Sequence, residues 1–78
     1  MSISNDDIQK LIIEELPDAK VEVDGDGYQY SILIVDDKFD GLATLKRHQL
    51  VYKILDTAIT SGELHALTIK AYTFSEHV

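Results

Sequence analysis

The chain has 78 residues, 14 of them acidic and 7 basic, for a net charge of −7, and it contains no cysteine. At this length there is room for a single domain over residues 1–78 with a thin core, and without thiols the chain cannot by itself build a disulfide framework, a thiolate-bound zinc site, a cysteine nucleophile or an iron–sulfur cluster. Its apolar runs, such as Ile32-Leu33-Ile34-Val35, fall far short of the roughly 20 residues that span a bilayer, and the N-terminus lacks a charged-then-apolar signal pattern, so the expectation is a soluble, cytoplasmic protein with no membrane partner.

Ser4 precedes Asn5-Asp6-Asp7 and then apolar residues at Ile8, Leu11, Ile12 and Leu16, a spacing that makes one helical stripe. Ser4 suits the N-cap, Asp6 and Asp7 favour the positive end of the helix dipole, and Pro17 ends the helix. From Ala19 the period becomes two: Val21 and Val23 alternate with Lys20, Glu22 and Asp24, which predicts a half-buried strand. Gly25-Asp26-Gly27 turns the chain into Tyr28–Val35, more continuously apolar, as a central strand would be. Asp36–Gly41 reads as a polar connection. Leu42–Lys46 is expected to form a short helical turn leading into a longer helix from about His48 to Ser61, with Val51, Ile54, Leu55, Ala58 and Ile59 as its core stripe and Gly62 as its left-handed cap. Leu64–Thr73 returns to a two-residue period, with Leu67, Ile69 and Ala71 on one side. The tail from Phe74 is too short to count as an element. The order α-β-β-α-α-β predicts an α+β two-layer sandwich: a three-stranded sheet with helices on one face.

Few residues carry chemistry. His48, His65 and His77 show no HxH or HExxH spacing. His65 stands out because it opens the third strand with the parity of Leu67 and Ile69, which predicts a partly exposed imidazole at the sheet end, beside the helical layer, where it can ligate a metal brought by another molecule. The aspartates at 24, 26, 36, 37 and 40 lie in predicted turns, where their side chains bond nearby amides. No nucleophile elbow or phosphate loop has its required context, so an enzyme is not expected. Charge is one-sided: residues 1–40 carry eleven acids and three bases, residues 41–78 three acids and four bases. The basic candidates are Lys46, Arg47, His48 and Lys53, expected on or near one exposed side of the second helix.

The element order matches type II KH-like topology. Together with Arg47-His48-Gln49-Leu50-Val51-Tyr52 and Leu64-His65-Ala66-Leu67-Thr68-Ile69-Lys70-Ala71-Tyr72-Thr73, the chain resembles the BolA family, in particular its short IbaG (YrbA)-type bacterial branch. The His65-Ala66-Leu67 segment with Lys70–Thr73 is the more specific signal. The resemblance implies an adaptor that works with monothiol glutaredoxins in iron–sulfur cluster or iron homeostasis. A [2Fe–2S] cluster would be bridged between the glutaredoxin cysteine with glutathione on one side and His65 on the other, and this chain would hold no cofactor when alone, as a monomer or weak homodimer. A cysteine-free chain can share a cluster only by borrowing a partner's thiolates, and histidine ligation makes the bond labile to protonation.

Two departures matter. Where many family members place a cysteine or a second histidine in the first hairpin loop, this chain has Tyr28-Gln29, which leaves His48 as an improvised second ligand; and after Tyr72-Thr73 the family's proline and Glu-Trp are replaced by Phe74-Ser75-Glu76. Two other functional readings stand beside the adaptor. One is DNA binding by a KH-like transcription regulator, using Lys46, Arg47 and Lys53, although no GXXG loop is present and the net charge is acidic. The other is metal-free docking of a partner on Lys46, Arg47, His48 and Tyr52; Tyr28 and Gln29 are further partner-binding candidates of the family reading.

Overall fold

The computed structural model describes residues 3–77, so Val78 of the tail lies outside the described residues. Helix α1 spans Asn5–Glu15, strand β1 Lys20–Gly25 and strand β2 Gln29–Val35; a 3-10 turn at Asp37–Phe39 follows, then α2 at Thr44–Ile54, α3 at Asp56–Thr60 and β3 at Ala66–Tyr72. The sheet order is β1-β2-β3, antiparallel between β1 and β2 and parallel between β2 and β3. This is the expected α+β sandwich, with β2 central and apolar because it has a strand on each side.

Helix α1 begins where its cap chemistry places it: the Asp7 amide donates to Ser4 Oγ at 3.1 Å. The helix buries Ile8, Ile12 and Leu16. The inward residues of the sheet, Val21, Tyr30, Ile32, Ile34, Ile69 and Ala71, meet them in one core with Phe39, Val51, Leu55, Ala58 and Leu64. Fully burying such side chains stabilises by about 1.5–3 kcal/mol each, enough in aggregate to order a domain this small. The opposite face of the sheet is open and carries Lys20, Glu22, Asp24, Gln29, Ser31, Thr68 and Lys70, all exposed. Val35 shares the outward parity yet is fully buried. Its register partner Tyr72 has its ring stacked on His77, 5.9 Å between centroids.

Two expectations need correction. The principal helix of the second half begins at Thr44, not His48, because Ala43 is the last extended residue and the Arg47 amide already donates to Ala43 O at 3.0 Å. It is not continuous to Ser61: Leu55, at φ −96° and ψ 12°, breaks the path and divides a long α2 from a five-residue α3. The tail from Phe74 adds no further element, as expected, and is held by a local turn. Thr73 Oγ1 accepts from the Glu76 amide while Glu76 accepts from the Thr73 amide at 2.8 Å, and the His77 amide donates to Thr73 O at 3.2 Å. That reciprocal pair is a capping box, which starts a helical turn in a few residues.

Candidate functional site

The position of His65 follows from the way α3 ends. Gly62 takes φ +83°, its amide donates to Ile59 O and the Glu63 amide to Ala58 O, the two bonds of a Schellman motif. The reversal drives Leu64 into the core, where it is 2% exposed, and the next side chain must emerge at the surface. His65 is accordingly exposed, immediately ahead of β3. The parallel register pairs Gln29 with Ala66, so one step earlier in both strands sets Tyr28 opposite His65. Their rings lie 6.3 Å apart, centroid to centroid, with planes inclined by 30°.

The hairpin loop that presents Tyr28 is braced by one carboxylate. Asp26 Oδ1 accepts from the amides of Tyr28 at 2.9 Å and Gln29 at 2.8 Å, and these bonds, that of Gln29 first, hold the Asp26 carboxyl below its ordinary pKa. The loop's first glycine is a packing requirement: a Cβ on Gly25 would collide with the Tyr30 ring at Cδ1. Tyr30 in turn sends its hydroxyl to Ile3 O, tying the segment before α1 to the same end of the sheet. The loop residues Tyr28 and Gln29 are both exposed.

The second group of candidates divides on α2. Consecutive helical residues stand about 100° apart, so Lys46 and Arg47 cannot share a face. Lys46, Gln49, Tyr52 and Lys53 are exposed and His48 is half-buried. Arg47 does not join the exposed lysines as expected: it turns inward, with its side chain 13% exposed. Its Nε donates to Leu42 O at 2.7 Å, its Nη1 to Ala71 O at 3.0 Å and to Glu76 Oε1 at 2.6 Å, and its Nη2 to Glu76 Oε2 at 3.1 Å. This charge-assisted fork locks the C-terminal turn to α2 and β3, and with the Thr73 amide it draws the Glu76 carboxyl down to a pKa of about 2. One α2 residue was absent from the sequence-based set: Leu45 is 67% exposed, one turn or two from His48, Gln49 and Tyr52 on the outward side. Its apolar character and its spacing of seven from Tyr52 were the available signal.

Chemically, the described residues contain no cluster of three or more His, Cys, Asp or Glu able to hold a metal ion. His48 lies in the second turn of α2, whereas His65 lies in the connection just ahead of β3. What the sheet end offers is a single accessible imidazole beside an aromatic ring, which fits part of a coordination sphere whose other ligands come from elsewhere. No helix among the described residues is long and apolar enough to cross a membrane.

The model of BolA-like proteins matches residues 9–76, a stretch that holds every candidate named above. The chain belongs to the BolA-like family. This BolA-like chain is 36% identical over 74 residues to the acid stress protein IbaG of Escherichia coli, covering 95% of this chain and 88% of that protein. Its fold is similar to that of a bolA protein homologue from Coxiella burnetii, with a TM-score of 0.84 at 33% identity over 96% of each chain. The BolA domain of SufE1 from Arabidopsis thaliana matches equally well, with a TM-score of 0.84 at 30% identity over 97% of this chain and 98% of that one. The family is one of regulators and adaptors.

Proposed function

We propose that this BolA-like chain is a cytoplasmic adaptor that binds a monothiol glutaredoxin and shares a [2Fe–2S] cluster with it through His65. The observation that carries the reading is the accessible imidazole of His65 at the end of the sheet, delivered there by a helix cap and a buried leucine. The donor set supports a shared site rather than a resident one. A chain with no cysteine supplies imidazole nitrogen but no thiolate, so the thiolates belong to the glutaredoxin cysteine and glutathione. When bound, the cluster would supply iron open to an imidazole ligand; this chain's part is to hold the His65 ring exposed at the end of the sheet.

The test is titration of isotope-labelled protein with cluster-loaded monothiol glutaredoxin and glutathione, following amide shifts and visible circular dichroism together. The cluster spectrum is expected to change, with shifts around His65 and residues 25–29, and His65→Ala is expected to abolish the spectral change without unfolding the apo chain. An unaltered cluster spectrum on mixing overturns the reading.

A second reading has its own observation. Leu45 and Tyr52, 67% and 45% exposed, lie on the outward side of α2 beside Lys46 and Lys53, a surface suited to docking a partner without metal. Shifts confined to α2 with the cluster spectrum unchanged are its signature. The nucleic-acid reading loses one of its three cations, because Arg47 is engaged with Glu76 and two carbonyls. Two lysines on a chain of net charge −7 make a weak phosphate surface.

A further inference from the structure

Tyr28 is the most exposed of the large apolar side chains, at 69%, and contributes nothing to the core. A tyrosine so placed could be a free loop residue, but its backbone is not free. The Tyr28 amide donates to Asp26 Oδ1, the Asp26 amide donates to Gln29 O, and Gln29 is in register with Ala66. These bonds fix the direction in which the side chain leaves the loop, and that direction is toward His65. The separation of 6.3 Å and the tilt of 30° fall within the range of attractive offset aromatic pairs.

His65 needs such a neighbour. It precedes the first ladder pair of β3, so strand pairing does not restrain its side chain, and as an exposed residue it has no core packing to select a rotamer. An imidazole that must meet a metal held by another molecule loses affinity for every alternative rotamer it populates. We infer that Tyr28 is a positioning residue for His65: its ring, held by the Asp26-braced loop, covers one side of the imidazole and selects the orientation in which a ring nitrogen is presented outward. The inference rests on the reading of His65 as a donor to a shared cluster, and it assigns the contact to the aromatic ring, not to the phenol oxygen.

That distinction sets the experiment. Tyr28→Phe keeps the ring and Tyr28→Ala removes it, while the loop keeps its Asp26 bonds in both. In the apo protein, the His65 ring resonances and the nuclear Overhauser contacts between the two rings are compared by NMR. In the complex with cluster-loaded glutaredoxin and glutathione, the rate of cluster loss to a chelator is compared. Tyr28→Ala is expected to move the His65 ring resonances and to speed cluster loss about two- to tenfold, the range of an aromatic pair expressed as a ratio, whereas Tyr28→Phe behaves as wild type in both. A Tyr28→Ala protein with unmoved His65 ring resonances, or with wild-type cluster loss while His65→Ala has a large effect, overturns the positioning role and leaves the donor role of His65 standing. If His65→Ala itself leaves the cluster spectrum unchanged, the donor reading fails and the positioning role fails with it.

Discussion

At the scale of single residues, Gly25, Arg47 and Glu76 have roles set by atoms of other elements. Gly25 is glycine because the Tyr30 ring lies across it, so Gly25→Ala forces ring or strand to shift and is expected to destabilise the fold by about 1–3 kcal/mol in denaturant unfolding. Glu76 is a pH-sensitive tie. Its folded pKa of about 2 lies below the ordinary 4.5, so the carboxylate contributes stability that is fully present above about pH 4.5 and is lost as the pH falls toward 2. The C-terminal turn is therefore expected to persist in mild acid. Arg47→Met, which removes the first cause of the shift, is expected to move the Glu76 titration up toward 4.5; a side-chain carboxyl NMR titration of both proteins measures this. Of these roles, the capping box of Thr73 and Glu76 is local, since its bonds span three residues, yet no structure was expected of the tail. The Arg47 fork was not, because its partners at 71 and 76 are 24 and 29 positions away. The positions of Lys46 and Lys53, by contrast, follow from helical angle alone.

At the scale of elements, caps decide where the chain turns and hence what each end presents. Ser4 starts α1 and Gly62 ends α3 as their residue types predict, and the second of these places His65. A Cβ at Gly62 would meet nothing within 4 Å, so the effect of Gly62→Ala is purely conformational. The variant is expected to destabilise the protein by about 1–2 kcal/mol, read as a lowered thermal midpoint, and to shift the His65 amide. The start of α2 and its interruption at Leu55 were less legible. Helix propensity runs continuously through this region, and no proline or glycine lies between Ala43 and Ser61. The break sits at Leu55, whose backbone is at φ −96° and ψ 12°, while Val51, Leu55 and Ala58 stay buried on either side of it.

At the scale of the whole molecule, one core supports two separate surfaces, the sheet end with Tyr28 and His65 and the outward side of α2 with Leu45 and Tyr52. Their substitutions should separate cleanly. Ile32, fully buried on the central strand, is expected to lose about 2–5 kcal/mol on Ile32→Ala. Leu45→Ala is expected to stay within about 0.5 kcal/mol of wild type, since the side chain is 67% exposed. Denaturant midpoints of the two variants decide the point, and a strongly destabilised Leu45→Ala would show that the residue belongs to the fold rather than to a docking surface.

Periodicity, caps and turn residues act over a few positions and report local geometry directly, so the layer architecture, the strand count and the caps at Ser4 and Gly62 were legible in the order of residues. His65, expected to open the third strand with the parity of its core residues, instead lies just ahead of β3 and is exposed. Only the tertiary structure decided that Tyr28 stands beside His65, that Arg47 faces inward to hold Glu76 and that Gly25 makes room for Tyr30. Each of these joins elements through the sheet register or through a side chain reaching across the fold, and contacts of that kind leave no periodic trace in the order of residues.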